Sequence, residues 1–375
     1  MNERLWLPGK GHWAEYQDFM GHKRVHESAA VWTIYHAIDS ETANPFQAYQ
    51  ATRYIDTAIP HIPVTAHGLK ENGYATIATT NWLPYSWSVN NIAFAEVMHT
   101  ALSYFQAGRA EAGYKLLKSS VLDGMYLGDS PGNFGQISFY DAARGECYRD
   151  FGDPIGVASR VLIQGLFGIL PDALNQQIIL RPGFPDDWDK ASVSTPDISY
   201  RFTRKEDTDT YHITQRFQTP LHPVLQINAR KEKIRSVKVN GVPATWQSIE
   251  SAHGYPLLSI QAEGTSSTTI TIEWEGASLH TLAVQELVIA SNGKLALQIP
   301  SGASISQVYD PQSVLAKHTV EATAFNAQLK GEPGHHTFFV YTHQGEMDWW
   351  QPVNIYIETV SYTHLRAHET SAHLV

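Results

Sequence analysis

The chain lacks several features that would assign it to common functional classes. It has a single cysteine, Cys147, so no disulfide can form within it. Acidic residues outnumber basic ones, and the formal net charge of -10 leaves no basic excess to neutralise nucleic-acid phosphates. No apolar run approaches the roughly 20 residues of a membrane span, and the first residues contain no apolar core typical of a signal peptide. We therefore expect neither a nucleic-acid partner nor a membrane partner.

Motifs for nucleotide, serine-hydrolase and zinc chemistry are also missing. The sequence contains no G-x-S-x-G, Walker A, H-E-x-x-H or G-x-G-x-x-G pattern. Four histidines lie close together in the sequence: His12, His22, His26 and His36. No further ligand-type residues accompany them at the spacing of a metal site. Cys147 is a conceivable nucleophile, although a lone cysteine is more often inert packing. The sequence predicts no metal and no cofactor.

Aromatic residues are plentiful, and apolar periodicity indicates a helical first part. The ten tryptophans and 18 tyrosines are compatible with a carbohydrate site, where rings stack on sugar faces. Asn44 followed by Pro45 is typical of a helix N-terminus. Gly108 separates two helices as an antiparallel hairpin. Spacings of three and four predict helices over 28–38, 45–58, 89–107, 109–122 and 154–169.

The pattern changes after Leu170 to short alternating runs separated by turn residues, which predicts strands. We predict an α-then-β multidomain chain: a partial (α/α)6 toroid, an antiparallel β-sandwich and a truncated second β module. The predicted boundaries are 1–170 for the C-terminal part of the helical barrel, 171–278 for the sandwich, 279–359 for the partial β module and 360–375 for a non-native tail.

Both ends of the chain are predicted not to be natural. Residues 360–375 have no strand or helix period, and they resemble the in-frame translation of a sequencing-library adapter. Their histidines are therefore not assigned to a metal site. The helical part is short for a closed toroid. We accordingly expect further N-terminal and C-terminal parts of the same polypeptide to complete the protein.

One segment carries a resemblance to a known family. The stretch GLFGILPDALNQQIILRPGFPDDW, with Leu180 to Trp188 at its end, resembles the passage from the last barrel helix into the sandwich of six-hairpin glycosidases. The segments GHWAEYQD (11–18) and YDAARGECYRDFGDP (140–154) resemble active-site loops of bacterial members, rhamnosidase- or arabinofuranosidase-like. The resemblance implies an (α/α) barrel, a carbohydrate substrate, and a periplasmic or secreted location.

Glycoside hydrolysis by this family would require two carboxyl groups on either side of the scissile bond. Glu15 lies between aromatic residues, and an aromatic neighbour raises a carboxyl pKa, which suits a general acid. Glu146 and Asp150 crowd into one loop, and either is a candidate base or nucleophile. Weaker candidates, each with an ordinary helix-terminal or surface interpretation, are Glu27, Asp39, Glu41, Asp141 and Asp153.

Residues near these acids are candidates for binding sugar. Asp18 is a candidate for hydroxyl groups, and Arg149 for holding a carboxylate ionised. The aromatic candidates for sugar stacking are Trp13, Trp82, Tyr85, Trp87 and Tyr148. Ordinary packing of these rings against the barrel is the alternative. Trp349 and Trp350 suggest either a lectin-like patch or an interface with a missing part.

The leading hypothesis is an exo-acting glycoside hydrolase of polysaccharide side chains. A polysaccharide lyase is the first alternative, in which Tyr148 and His12 would take part in proton abstraction. A glycoside phosphorylase is the second, with phosphate in place of the base. The third is a non-catalytic carbohydrate-binding protein.

Overall fold

A computed structural model describes residues 1–82, 91–127, 139–141, 146–148, 152–280 and 286–359; at 91, 139–141 and 146–148 it describes the backbone. The predictions for Tyr85, Trp87, Arg149, Asp150 and the tail 360–375 lie outside these residues. Within the described part, helices come first and β-sheets follow, which confirms the predicted order.

The helical part contains six α-helices within the described residues. They are α1 (Asn2–Leu5), α2 (Val31–Asp39), α3 (Pro45–Ala58), α4 (Phe94–Gln106), α5 (Ala110–Val121) and α6 (Asp153–Arg160). Wider π-type turns extend α5 through Leu122–Leu127 and α6 through Val161–Leu166. A 3-10 turn follows at Ala173–Asn175. The partial toroid stays a prediction.

Local signals account for most helix ends. The Asn44 side chain accepts from the backbone N–H of Gln47, and the Gln47 side chain accepts from the N–H of Asn44, so the predicted cap is a complete capping box. Helix α4 begins at Phe94 rather than at residue 89, because residues 91–93 pair as a strand. Asp153 is the first residue of α6 and Gly152 is at the N-cap, so Asp153 lies at the helix terminus.

Helices α2, α4 and α6 run parallel to one another. Tyr35, at the middle of α2, contacts Glu96 near the start of α4, while Asp39 contacts Gln106 at the ends of both helices. Arg160, late in α6, reaches Asp39. Helix α3 runs the opposite way to α2, since the Tyr54 hydroxyl near its end donates to the carbonyl of Ala29 before α2 begins. The N-terminal ends of α2, α4 and α6 therefore lie at one end of the helical part.

Short strands also occur in the helical part. They are β1 (Trp6–Leu7), β2 (His12–Trp13), β3 (Tyr16–Gln17), β4 (Val25–His26), β5 (His61–Pro63), β6 (Ala75–Ile77), β7 (Asn91–Ala93), β8 (Phe139–Asp141) and β9 (Glu146–Tyr148). The first six form the antiparallel pairs β1–β2, β3–β4 and β5–β6. The last three form one antiparallel sheet in the order β7-β8-β9, which leads directly into α4.

The next eleven strands form two sheets. They are β10 (Ile169–Asp172), β11 (Gln177–Leu180), β12 (Lys190–Ser194), β13 (Ile198–Lys205), β14 (Thr208–Gln215), β15 (His222–Asn228), β16 (Lys231–Val239), β17 (Val242–Pro243), β18 (Gln247–Ser248), β19 (Leu257–Gln261) and β20 (Ser267–Ser278). The sheet orders are β10-β11-β15-β19-β18 and β12-β13-β14-β20-β16-β17. Pairing is antiparallel except between β11 and β15. Alternating burial along β13 and β14 explains the alternating sequence.

The segment with the family resemblance joins the helices to this first β unit. Gly168 has φ +63°, and a Cβ there would lie 1.9 Å from the carbonyl oxygen of Arg181, so only glycine fits. The Trp188 ring packs edge-on against Tyr114 of α5, with centroids 5.3 Å apart. A Cβ at Gly183 would lie 2.3 Å from the Phe105 ring of α4. The segment therefore fixes the first β unit onto the α4–α5 hairpin.

The last seven strands form a second β unit. They are β21 (Leu287–Ala290), β22 (Lys294–Gln298), β23 (Ser304–Tyr309), β24 (Leu315–Glu321), β25 (Ala324–Leu329), β26 (Gly334–Gln344) and β27 (Met347–Glu358). The sheet orders are β21-β27-β26-β23 and β22-β25-β24. Trp349 is fully buried, so it is not an exposed lectin-like residue. Trp350 packs edge-on against Phe46 of α3 at 5.6 Å, so this unit contacts the helical part.

Buried apolar side chains form two clusters among the described residues. The larger one runs without interruption from the helices into the first β unit, and it includes Trp349 of β27. The smaller one lies between the two sheets of the second β unit. The helices and the first β unit therefore share one core. The exact domain boundaries predicted from the sequence stay predictions.

Candidate functional site

A half-buried carboxyl group, Glu96, lies near the N-terminal end of α4. The hydroxyl of Tyr35 on α2 donates a hydrogen bond to its Oε2. Burial raises the pKa of Glu96 and outweighs the opposing effects of the Tyr35 hydrogen bond and of His36; Asp153 raises it further. A half-buried carboxyl group with a raised pKa is suited to donate a proton.

Titratable side chains from all three parallel helices surround Glu96. His36 on α2 and Asp153 on α6 both act on its pKa, and both are exposed. His99, one turn along α4, stacks on the Tyr35 ring at 4.8 Å. Burial and the nearby Arg160 lower the pKa of His99, which favours its neutral form. The cluster therefore offers one acid, a neutral imidazole and a phenol at the same end.

The three-stranded sheet β7-β8-β9 lies at this same end, because β7 continues directly into α4. In its register Asn91 is opposite Asp141, and Asp141 is opposite Glu146. The backbone therefore places the predicted Glu146 two strands away from the strand that leads to Glu96. The predicted Tyr148 lies in the same strand, opposite Phe139.

Glu15 lies at the start of α2 and accepts hydrogen bonds on both oxygens. Oε2 accepts from the N–H of Ala30 at 2.8 Å and from the hydroxyl of Thr33 at 2.6 Å, and Oε1 accepts from the indole N–H of Trp32 at 2.6 Å. Ala30 precedes α2 and has no capping side chain of its own. Glu15 thus supplies the cap from a neighbouring loop, next to the positive end of the helix dipole.

This geometry gives a stability prediction. Replacing Glu15 with alanine leaves three donors without their acceptor, and we expect a loss of about 2–4 kcal/mol in the free energy of unfolding. Urea denaturation measures it. The exposed pair Lys10–Glu27 gives the matched control: Glu27→Ala should cost less than about 1 kcal/mol. Unchanged stability with lost activity in Glu15→Ala would instead support the predicted acid role.

Other predicted residues fall near the same end. Asp18 accepts from the ring of His26 at 3.0 Å across the hairpin β3–β4, and the N–H of Glu15 donates to the His26 carbonyl. Trp82 is half-buried, and its carbonyl accepts from the hydroxyl of Thr80. Residues 79–82 adjoin α2, because the N–H of Val31 donates to the Thr79 carbonyl. The structure thus brings Glu15, Asp18 and Trp82 to one rim.

The sugar-stacking role predicted for Trp13 is wrong. Its side chain is 0% exposed, packs against Trp6 with centroids 4.6 Å apart, and donates its indole N–H to Asn2. It is a core residue that anchors the β1–β2 pair. A neighbouring ring that the sequence did not single out is better placed: Tyr16 is 49% exposed and stacks on His26 at 4.1 Å.

Sequence reasoning also missed Glu96 and Tyr35. The available signal was a carboxylate inside the helical pattern predicted over 89–107, between the buried Phe94 and Val97. Asp39, considered because acids are disfavoured at helix C-termini, has a structural explanation. Burial tends to raise its pKa, but hydrogen bonds from Arg160 and Gln106 outweigh burial and lower it. Asp39 therefore ties α2 to α4 and α6 at the end opposite Glu96.

Two further observations concern ligands and membranes. Across the described ranges, no group of three His, Cys, Asp or Glu side chains is arranged to hold a metal ion. No helix in the described part is both long and apolar enough to cross a bilayer.

Comparison with known proteins yields distant structural likenesses. No protein-family model matches the chain, and no curated protein matches it. The chain is similar to an alpha-L-rhamnosidase from Dictyoglumus thermophilum, with 10% identity and a TM-score of 0.39 over 73% of this chain and 27% of that one. It therefore spans about a quarter of that enzyme's length.

A second likeness is to a Bacteroides ovatus protein of a mixed-linkage glucan utilization locus, solved with a mixed-linkage heptasaccharide. It has 10% identity and a TM-score of 0.16 over 46% of this chain and 67% of that one. The N-terminal Ig domains of Down Syndrome Cell Adhesion Molecule are similar over 44% of this chain and 33% of that one, with 10% identity and a TM-score of 0.16. None of these likenesses assigns a function.

Proposed function

We propose that the chain is part of a glycoside hydrolase whose active site lies at the N-terminal ends of α2, α4 and α6. The observation that carries this proposal is the carboxyl group of Glu96, which is half-buried, has a raised pKa and is hydrogen-bonded by Tyr35. A proton donor of this kind is what cleavage of a glycosidic bond requires, together with a second carboxylate on the other side of the bond.

In the proposed mechanism, Glu96 protonates the glycosidic oxygen as the bond to the leaving group breaks. The Tyr35 hydroxyl positions the carboxyl group, and burial holds the pKa of Tyr35 far above its usual range, so it stays protonated. Glu146, on the nearby β9, is the proposed second carboxylate, and Asp150 is its alternative. A separation of about 5 Å between the two carboxyls would give retention, and about 6.5–9.5 Å would give inversion.

The proposed substrate is a sugar at the end of a polysaccharide side chain. The rim of the site offers the exposed Tyr16–His26 stack and the half-buried Trp82, whose rings suit the apolar face of a sugar. Asp18 is a proposed hydroxyl partner, since its carboxylate already accepts a hydrogen bond from His26. A periplasmic or secreted location and a longer polypeptide are part of the proposal.

The test is hydrolysis of a panel of aryl glycosides. The protein is expressed from its uninterrupted reading frame, which is the natural gene without the adapter-like residues 360–375. Release of the aryl group from at least one glycoside, abolished in the double variant Glu96→Gln/Glu146→Gln, would support the proposal. Release that requires added phosphate would point to a phosphorylase. An unsaturated product absorbing in the ultraviolet would point to a lyase. Sugar binding without turnover of any glycoside would contradict an enzymatic role.

A further inference from the structure

A cavity of about 520 Å³ lies at the opposite end of the parallel helices, where they meet the first β unit. Helix residues such as Gln106 and Arg160 form one wall, and the β-unit residues Gln226, Asn228 and Ser251 form another. The volume is within the range of roughly 300–1,000 Å³ found for small-molecule pockets. The cavity is separate from the Glu96 site, because the two lie at opposite ends of α2 and α4.

Arg181 lines this cavity without a counter-ion among the described residues. The other half-buried arginines that hold the fold together are each paired with a carboxylate: Arg53, Arg109, Arg160, Arg204 and Arg230. No hydrogen bond or ion pair of the Arg181 guanidinium occurs in the described part of the chain. Burial lowers the pKa of Arg181, and no carboxylate of the described part offsets its partial desolvation. Such a group is costly to the fold unless something anionic joins it.

The charges around Arg181 leave a place for an anion. Asp39 is already bound by Arg160 and Gln106, so it is not a free counter-ion. His253 also lines the cavity, and burial lowers its pKa to about 4, so it is neutral near pH 7. Its Nε2 lies 2.6 Å from the Ala107 carbonyl at the end of α4. Glu41 lies on the exposed rim and is the acid that would oppose an anion there.

We propose that this cavity binds a small sugar acid or sugar phosphate, with its carboxylate or phosphate on the Arg181 guanidinium. Arginine presents a planar fork of donors that matches either oxyanion. The neutral side chains of Gln226, Asn228 and Ser251 supply donors and acceptors for hydroxyl groups on the other wall. This site does not depend on the proposed hydrolase function.

The experiment measures binding to the full chain by calorimetry and thermal melting. The probes are glucuronate, glucose 6-phosphate, inorganic phosphate and glucose, at constant ionic strength. We expect saturable binding of at least one anionic sugar, a rise in Tm of about 2–4 °C near saturation, and no binding of glucose. Tighter binding of glucuronate indicates a sugar acid, and tighter binding of glucose 6-phosphate indicates a sugar phosphate.

Three variants make the test specific. Arg181→Met should weaken binding about 10- to 100-fold, as expected for losing hydrogen bonds to a charged group, whereas the exposed control Arg201→Met should not. Glu41→Gln should tighten binding, and it keeps the proposal testable if Arg181→Met does not fold. The proposal is overturned if no anionic sugar binds the wild-type chain. It is equally overturned if Arg181→Met binds the anionic sugars as tightly as the wild-type chain does. A lower Tm of Arg181→Met also overturns it if the wild-type chain binds none of the probes.

Discussion

Replacing Glu96 with glutamine is expected to lower kcat/KM by about 10²- to 10⁴-fold on glycosides with poor leaving groups, the usual contribution of a general acid. Glutamine keeps the size of the side chain and a hydrogen-bond acceptor for Tyr35, but it carries no transferable proton. A dinitrophenyl leaving group needs little protonation, so hydrolysis of a dinitrophenyl glycoside should fall far less. The measurement is kcat/KM across a series of leaving groups in the protein from the uninterrupted reading frame.

The control is Glu263→Gln, an exposed carboxylate on the first β unit, which should leave every rate unchanged. The pH profile adds a second readout. Activity should fall as pH rises through the pKa of Glu96, because the acid must be protonated. The Tyr35 hydroxyl works to lower that pKa, so Tyr35→Phe should move the alkaline limb to higher pH. If Glu96→Gln lowers kcat/KM equally for all leaving groups, the result would contradict an acid role for Glu96 and would indicate a structural role.

The parts of the fold that the sequence predicts well are those with local causes. The capping box at Asn44 and the break at Gly108 act within a few residues, so helices α3, α4 and α5 end close to where the pattern places them. The start of α4 is different. Residues 91–93 fit a helical period, yet they pair with a strand about fifty residues along the chain. A long-range partner decides that boundary, and periodicity cannot reveal it.

The candidate site depends on the same long-range effects. Glu96 becomes unusual because Tyr35 and the neighbouring helices α2 and α6 come together around it, which no local pattern indicates. Trp13 resembles a loop aromatic in sequence, but it is buried in the main core and packs against Trp6. The sequence indicates Glu15 through its neighbours Trp13 and Tyr16, whereas the indole that contacts it is that of Trp32, 17 residues along the chain. The sequence therefore places Glu15, Asp18 and Trp82 in segments that the fold brings together, but their roles stay predictions.

The aromatic contacts of the second β unit illustrate a related limit. The sequence suggests for Trp350 a lectin-like patch or an interface with a missing part, but its ring packs within the described chain. Phe46 of α3 packs edge-on against both Phe339, at 4.9 Å, and Trp350, at 5.6 Å. Tyr49, one turn later, contacts Phe339 at 5.7 Å. These rings join the helical part to the second β unit, which is the ordinary use of clustered aromatic residues at an interface.

Replacing Asp56 with alanine is expected to cost about 3–5 kcal/mol of unfolding free energy, the range for removing one partner of a buried ion pair. Asp56 on α3 accepts from Arg109 at 2.6 Å, from the Tyr104 hydroxyl at 2.5 Å and from Arg53 at 3.0 Å. Arg53 retains Glu286 in the variant. Arg109 would keep only the faces of Tyr49 and Tyr104, at 5.3 and 4.9 Å. A half-buried guanidinium would then lack its counter-ion.

The lowered pKa of Asp56 determines how the cost of Asp56→Ala changes with pH. Burial tends to raise the pKa of Asp56, but attraction to Arg109 and the hydrogen bonds from Tyr104 and Arg109 outweigh burial, so the folded pKa lies below the usual value. The stabilisation is therefore complete above the unfolded pKa and is lost as pH falls through the folded one. The gap between wild type and Asp56→Ala should narrow in acid. Urea denaturation at pH 7 and pH 3 measures it, and Asp207→Ala, which removes the surface partner of Lys231, should cost much less than Asp56→Ala. In this account the cost arises because an ionised carboxylate faces the Arg109 guanidinium. Equal losses of unfolding free energy in the two variants would contradict it. A loss in Asp56→Ala that does not change with pH would contradict it as well.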